Sequence, residues 1–144
     1  IQAAQEETRR AMTRAEERNQ AKRFLSKARE YLDTAQDCLD LDRTTASAGN
    51  SIHVGICAKD AIMTIRKGQT NKGRDHSSAV KELGRALAKH PEGASAERAL
   101  RELITAKSDV EYGTELVTLT RAEPLLRRAS SLVALAERMV QLEH

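Results

Sequence analysis

Ile52-His-Val-Gly-Ile-Cys-Ala-Lys-Asp-Ala-Ile-Met-Thr-Ile65 decides the fold. Ile52, Val54, Ile56, Cys57, Ala58, Ala61, Ile62 and Ile65 cover most of a helical circumference, and no strand-like alternation of polar and apolar residues is present. A helix that is apolar nearly all round needs neighbours on every side. Gly55, Ala58 and Ala61 are small enough to let another backbone come close. The segment is therefore predicted to be the shared centre of a bundle, within a helix over 46–67.

The flanking sequence supplies the neighbours. Phe24, Leu25, Ala28, Tyr31, Leu32, Ala35, Cys38 and Leu39 recur at three and four residues, which predicts a helix over 22–41. Thr44, Thr45 and Ser47 are expected to cap the helix that follows. Val80, Leu83, Ala86 and Leu87 mark a shorter helix that His90-Pro-Glu-Gly93 stops. A fourth helix, with Ser95 as its expected cap, carries Ala99, Leu100, Leu103, Ile104 and Val110 and ends at Gly113. Thr120 and Glu123 have capping-box spacing, and Pro124 is expected in the first turn of a last helix running to Val140. The reading is all-α, an up-and-down antiparallel bundle of about five helices. Residues 1–21 carry only a thin apolar stripe and are expected to form a helical extension or arm. Residues 22–141 form the bundle. Leu142-Glu-His144 reads as the stub of a purification tag, so His144 is left out of the chemistry.

Composition agrees. Among 144 residues only 2% are aromatic, so the core must be aliphatic and joined by close Ala contacts. A chain this long buries roughly 68–70% of its unfolded surface, enough for one domain without staples. Twenty-four basic residues against 21 acidic leave a net charge of +3, a mixed surface without the concentrated excess of a strong nucleic-acid binder. No run is long enough to span a membrane, and nothing reads as a signal peptide; the expected location is the cytoplasm. In the hairpin of the first two helices Cys38 and Cys57 fall about 12 Å apart. A disulfide needs Cα atoms within about 7 Å, so two buried free thiols are expected.

Two further stretches carry a resemblance. Lys107-Ser-Asp-Val-Glu-Tyr-Gly113 closes one helix before a short linker and another helix, and Asp75-His76-x-x-Ala79-Val80-x-x-Leu83 opens one upstream. Together they resemble the HEPN superfamily of small all-helical domains over about residues 22 to 140. The resemblance implies a homodimer, bacterial in type, that binds RNA, a nucleotide or a partner protein such as a nucleotidyltransferase, as in toxin–antitoxin pairs. RNA-cleaving members carry an Arg and a His four to six residues apart, usually with a polar residue after the Arg.

Three constellations bear on function. Arg66, Lys67, Lys72 and Arg74 surround Gly68 and Gly73, with His76 just beyond. Glycine amides and cations together suit a phosphate, and these five residues are the expected ligand contacts. Gly68-x-x-x-x-Gly73 imitates part of a nucleotide loop, but Arg74-Asp75 stands where Lys-Ser/Thr is required and no strand precedes it. The bland alternative is a solvated turn, with Arg66 and Lys67 complementing a helix C-terminus, Asp75 as a cap and His76 packing beside it. Arg85 and His90 have the nuclease spacing, with His as proton carrier and Arg as phosphate clamp. Ala86 follows the Arg, however, and the pair closes an earlier helix than the family uses. The favoured reading is thus a non-catalytic binding or regulatory module; an RNase using Arg85 and His90, or a purely structural interaction domain, are the alternatives. His53, between Ile52 and Val54, reads as a buried neutral imidazole. Ser51, Ser130 and Ser131 have no base in register. No metal-ligand spacing occurs, and no cofactor is expected.

Overall fold

Thr13 opens the first helix with a reciprocal cap: its hydroxyl accepts from the Glu16 amide, and the Glu16 carboxylate accepts from the Thr13 amide. The computed structural model describes residues 12–68 and 76–142, with backbone only at 76 and 77. Helix α1 (Arg14–Asp40) passes residues 21 and 22 without a break, so residues 14–21 belong to the same rod as the rest. Ala21, Leu25, Ala28 and Ala35 face inward, with Phe24, Tyr31, Leu32 and Leu39 half-buried against the core. Asp42, at φ 59°, turns the chain back; Asp tolerates this left-handed geometry better than most residues.

Helix α2 (Thr44–Lys67) is the hub. It packs against α1 and against the remaining helices α3 (His76–Ala86), α4 (Gly93–Tyr112) and α5 (Leu119–Leu142). Ile52, Ile62 and Ile65 are fully buried, and so is most of the circumference between them. The expected all-α bundle around Ile52–Ile65 is the architecture observed, with no strand among the described residues. Gly55 permits the α2–α4 approach: a Cβ there would stand 2.6 Å from Leu103 Cδ1.

Several ends differ from expectation. Thr44, Thr45 and Ser47 do not cap α2. Thr44 Oγ1 donates to the Val117 carbonyl, Thr45 Oγ1 accepts from the Val117 amide, and Ser47 Oγ donates to the Ala35 carbonyl. The first two hydroxyls thus fasten the α1–α2 turn to the α4–α5 linker. At its other end α2 stops at Gly68, whose φ of 76° favours glycine. There Arg14 Nη1 donates to the Ile65 carbonyl at 2.6 Å, and Glu17 lies against Gly68. Helix α4 starts before Ser95, whose hydroxyl donates back to the Glu92 carbonyl from within the first turn. Helix α5 starts before Thr120, with the Thr118 carbonyl accepting from the amides of Arg121 and Ala122. Pro124 therefore lies in the second turn and removes the bond that the Thr120 carbonyl would accept. Thr120 is exposed, so water can take that place. No helix of the described residues is long and apolar enough to cross a membrane.

Candidate ligand-binding site

The basic loop is described only at its start. Arg66 is half-buried, and its Nε donates to the Ala86 carbonyl at 3.2 Å. It complements a helix C-terminus, that of α3 rather than its own. Lys67 is exposed. Lys72, Arg74 and Asp75 lie outside the described residues, as does the side chain of His76, whose backbone opens α3.

Arg85 is exposed in the last turn of α3, and His90 is half-buried in the turn that follows. His90 Nδ1 accepts from the Glu92 amide at 3.0 Å, which in the neutral ring leaves the proton on Nε2. Both Glu92 carboxylate oxygens accept from Arg138 Nη2 at 2.7 Å. This places the His90 ring in the α3–α4 connection as a brace, and no hydrogen bond joins it to Arg85.

The structure assembles a different set of residues where α1, α2 and α4 meet. His53 is not buried: its side chain is 48% exposed. Its neighbours Ile52 and Val54 point about 100° away on either side, so their apolarity says little about position 53. Ala46, Gly49, Asn50, His53, Ile56 and Asp60 recur at three and four residues and form the wet stripe of α2. On that stripe the imidazole stacks on Tyr31 of α1, with ring centroids 5.3 Å apart and planes at 27°. Its Nε2 stands 3.8 Å from Glu111 Oε1 on α4. The other Glu111 oxygen accepts from Lys107 Nζ, one turn back, and the ammonium lies 5.7 Å from the Tyr112 ring centre. The hydrogen bond to Glu111 raises the Lys107 pKa above its ordinary 10.5. This cation is therefore held charged beside a carboxylate and one ring.

Tyr31, His53 and Glu111 border open space, with Lys107 held beyond them by its bond to Glu111. A groove of about 540 Å³ is lined by Tyr31, Gly49, Asn50, His53, Val110 and Glu111. A second, of about 390 Å³, is lined by Lys27, Glu30, Tyr31, Thr34 and Asn50. They share Tyr31 and Asn50. The combination offers π faces for stacking, a carboxylate acceptor and an ammonium donor. In the sequence Lys107 to Gly113 reads as a helix end that carries the family resemblance, Tyr31 as core and His53 as interior, and none of the three as a ligand contact. The signal that finds the site is the three-and-four spacing of polar or small residues on an otherwise apolar helix.

Other polar groups are interior. Lys59 is 4% exposed, and its ammonium donates to the adjacent Asp60 at 2.5 Å. Cys57 is buried and Cys38 half-buried, and both are free thiols. No group of three or more His, Cys, Asp or Glu among the described residues could hold a metal ion. No protein-family model matches the chain, and no curated protein matches it significantly.

Proposed function

We propose that this protein is a non-catalytic, HEPN-like binding module whose ligand surface is the shelf of Tyr31, His53, Lys107 and Glu111. Of the ligands that the resemblance implies, a nucleotide or short single-stranded RNA suits it best. The observation that carries the reading is the exposed His53 ring stacked on half-buried Tyr31, close to a charged Lys107–Glu111 pair. A nucleobase adds to such a stack through its own π face whatever its sequence, and an ammonium nearby favours phosphate. The basic loop is the secondary contact region, with Lys67 its exposed described cation.

The chain has two tyrosines and no tryptophan, and both Tyr31 and Tyr112 border the shelf, so tyrosine fluorescence reads this region directly. Titration with nucleoside monophosphates and a short RNA is expected to quench it and to shift the His53 ring resonances in NMR. Tyr31→Ala is expected to weaken binding by about 5- to 100-fold, the measured range for loss of one base stack. Arg66→Gln is expected to leave affinity unchanged, because its side chain serves the end of α3. Binding that survives Tyr31→Ala unaltered, or no binding at millimolar ligand, would sink the reading.

A further inference from the structure

Stacking is indifferent to which base is stacked, but the polar groups around the stack are not. The groove of about 390 Å³ is bordered by Tyr31 and not by His53, so the tyrosine is its π surface. Four polar side chains surround that surface: Lys27, Glu30 and Thr34 from α1, and Asn50 from α2. Lys27 and Glu30 are exposed, and no ion pair between described residues engages either. Hydrogen bonds already formed decide what the other two offer. Thr34 Oγ1 donates its proton to the Glu30 carbonyl at 3.0 Å, which leaves its lone pairs. Asn50 Nδ2 donates to the Ala46 carbonyl at 2.8 Å. Only the nitrogen end of an amide can face a carbonyl, so Oδ1 is turned away from it as an acceptor. Three of the four groups thus present acceptor oxygen, and the Lys27 ammonium is purely a donor.

That inventory sorts the bases. On its Watson–Crick edge guanine carries one acceptor, O6, beside two donors, N1–H and the N2 amino group. Adenine carries one donor and one acceptor there, cytosine one donor and two acceptors, and uracil one donor between two acceptors. Guanine alone has more donors than acceptors. Lys27 and Glu30 stand three residues apart on one helix, hence side by side on its surface. An ammonium beside a carboxylate matches O6 beside N1–H and N2–H, with the carboxylate accepting both N–H groups in a fork. We propose that the groove over Tyr31 is a guanine subsite. The base stacks on Tyr31, Lys27 donates to O6, and Glu30 accepts from N1–H and N2–H. Asn50 Oδ1 is the acceptor on the α2 side for the second N2 proton. Adenine, cytosine or uracil leaves one Glu30 oxygen without a base proton. The assignment rests on the stacking surface being the ligand site, and adds to it the base that the surface selects.

Calorimetric titration of the whole chain with guanosine, adenosine, cytidine, uridine and inosine monophosphates tests the subsite. A forked contact to a base edge discriminates by about 5- to 150-fold, so guanosine monophosphate is expected to bind at least about fivefold more tightly than the adenosine, cytidine and uridine forms. Inosine monophosphate keeps O6 and N1–H but lacks the N2 amino group, and is expected to fall between. Glu30→Gln changes an exposed position and leaves the core alone. Glutamine offers one acceptor oxygen for two protons, so this variant is expected to bring guanosine and adenosine affinities to within about twofold of each other. Equal binding of all five ligands would overturn the guanine assignment and leave the stacking surface standing. So would a preference for another base, inosine bound as tightly as guanosine, or a guanine preference that survives Glu30→Gln. No binding by any of the five at millimolar concentration would remove the ligand surface itself, and the subsite with it.

Discussion

Burial pushes the Cys57 thiol above its ordinary value of 9.0; Lys27 and Lys59 pull it back down and Asp60 adds to the rise. The reactive species of cysteine is the thiolate, so Cys57 is inert at neutral pH while half-buried Cys38 is open to reagents. Under native conditions at pH 8 an aromatic disulfide reagent is expected to modify Cys38 at least about tenfold faster than Cys57, the rates converging in denaturant. Equal native rates would contradict the burial of Cys57. The same shift has a sign in stability. The folded-state value is the higher one, so the contribution of the neutral thiol is full below pH 9.0 and is lost as pH rises through the folded-state value. Cys57→Ala is expected to flatten the alkaline fall of the unfolding midpoint above that pH. Gly55 poses a closer balance. Alanine there gains about 1 kcal/mol of helix propensity but sets a Cβ 2.6 Å from Leu103 Cδ1, in a core with little space. Overpacking costs about 1–3 kcal/mol, so Gly55→Ala is expected to lower stability by up to about 2 kcal/mol in urea titration. A raised midpoint would show that Leu103 yields.

Helix periodicity was the legible part of each element. Apolar residues at three and four residues located all the main helices, because burial of one face is written in that spacing. Ends were less legible, because a hydroxyl near a helix start has more than one possible partner. Thr44 and Thr45 read as caps from local spacing, yet their partner is Val117, brought close only by the tertiary fold. The Tyr31–His53–Glu111 shelf was hidden for the same reason: its members come from three helices, and each looked ordinary among its own neighbours. Thr45→Val keeps the shape and leaves the Val117 amide unpaired at a buried residue. It is expected to cost about 1–3 kcal/mol and to speed hydrogen exchange at that amide more than elsewhere. Exchange that stays slow at Val117 would mean that the linker is held by other contacts.

At the scale of the molecule, contact of α2 with every other helix ties the stability of each part to one rod. Cutting into that rod is expected to loosen the whole chain rather than one corner. Ile62→Ala, at a fully buried site, is expected to cost about 2–5 kcal/mol. Its denaturation curves by far-UV dichroism and by tyrosine fluorescence are expected to stay superimposed. Separate transitions would reveal an independently melting α3 or α5 and would break the picture of a single hub. The guanidinium of Arg14, bonded to the Ile65 carbonyl, has a practical meaning for anyone shortening the chain. A version beginning at 22, where composition changes, would lose that clamp, the Glu17 carboxylate beside Gly68 and the Thr13–Glu16 lock together. The hub would then fray at its far end, so Thr13, Arg14, Glu16 and Glu17 must stay in any shortened version.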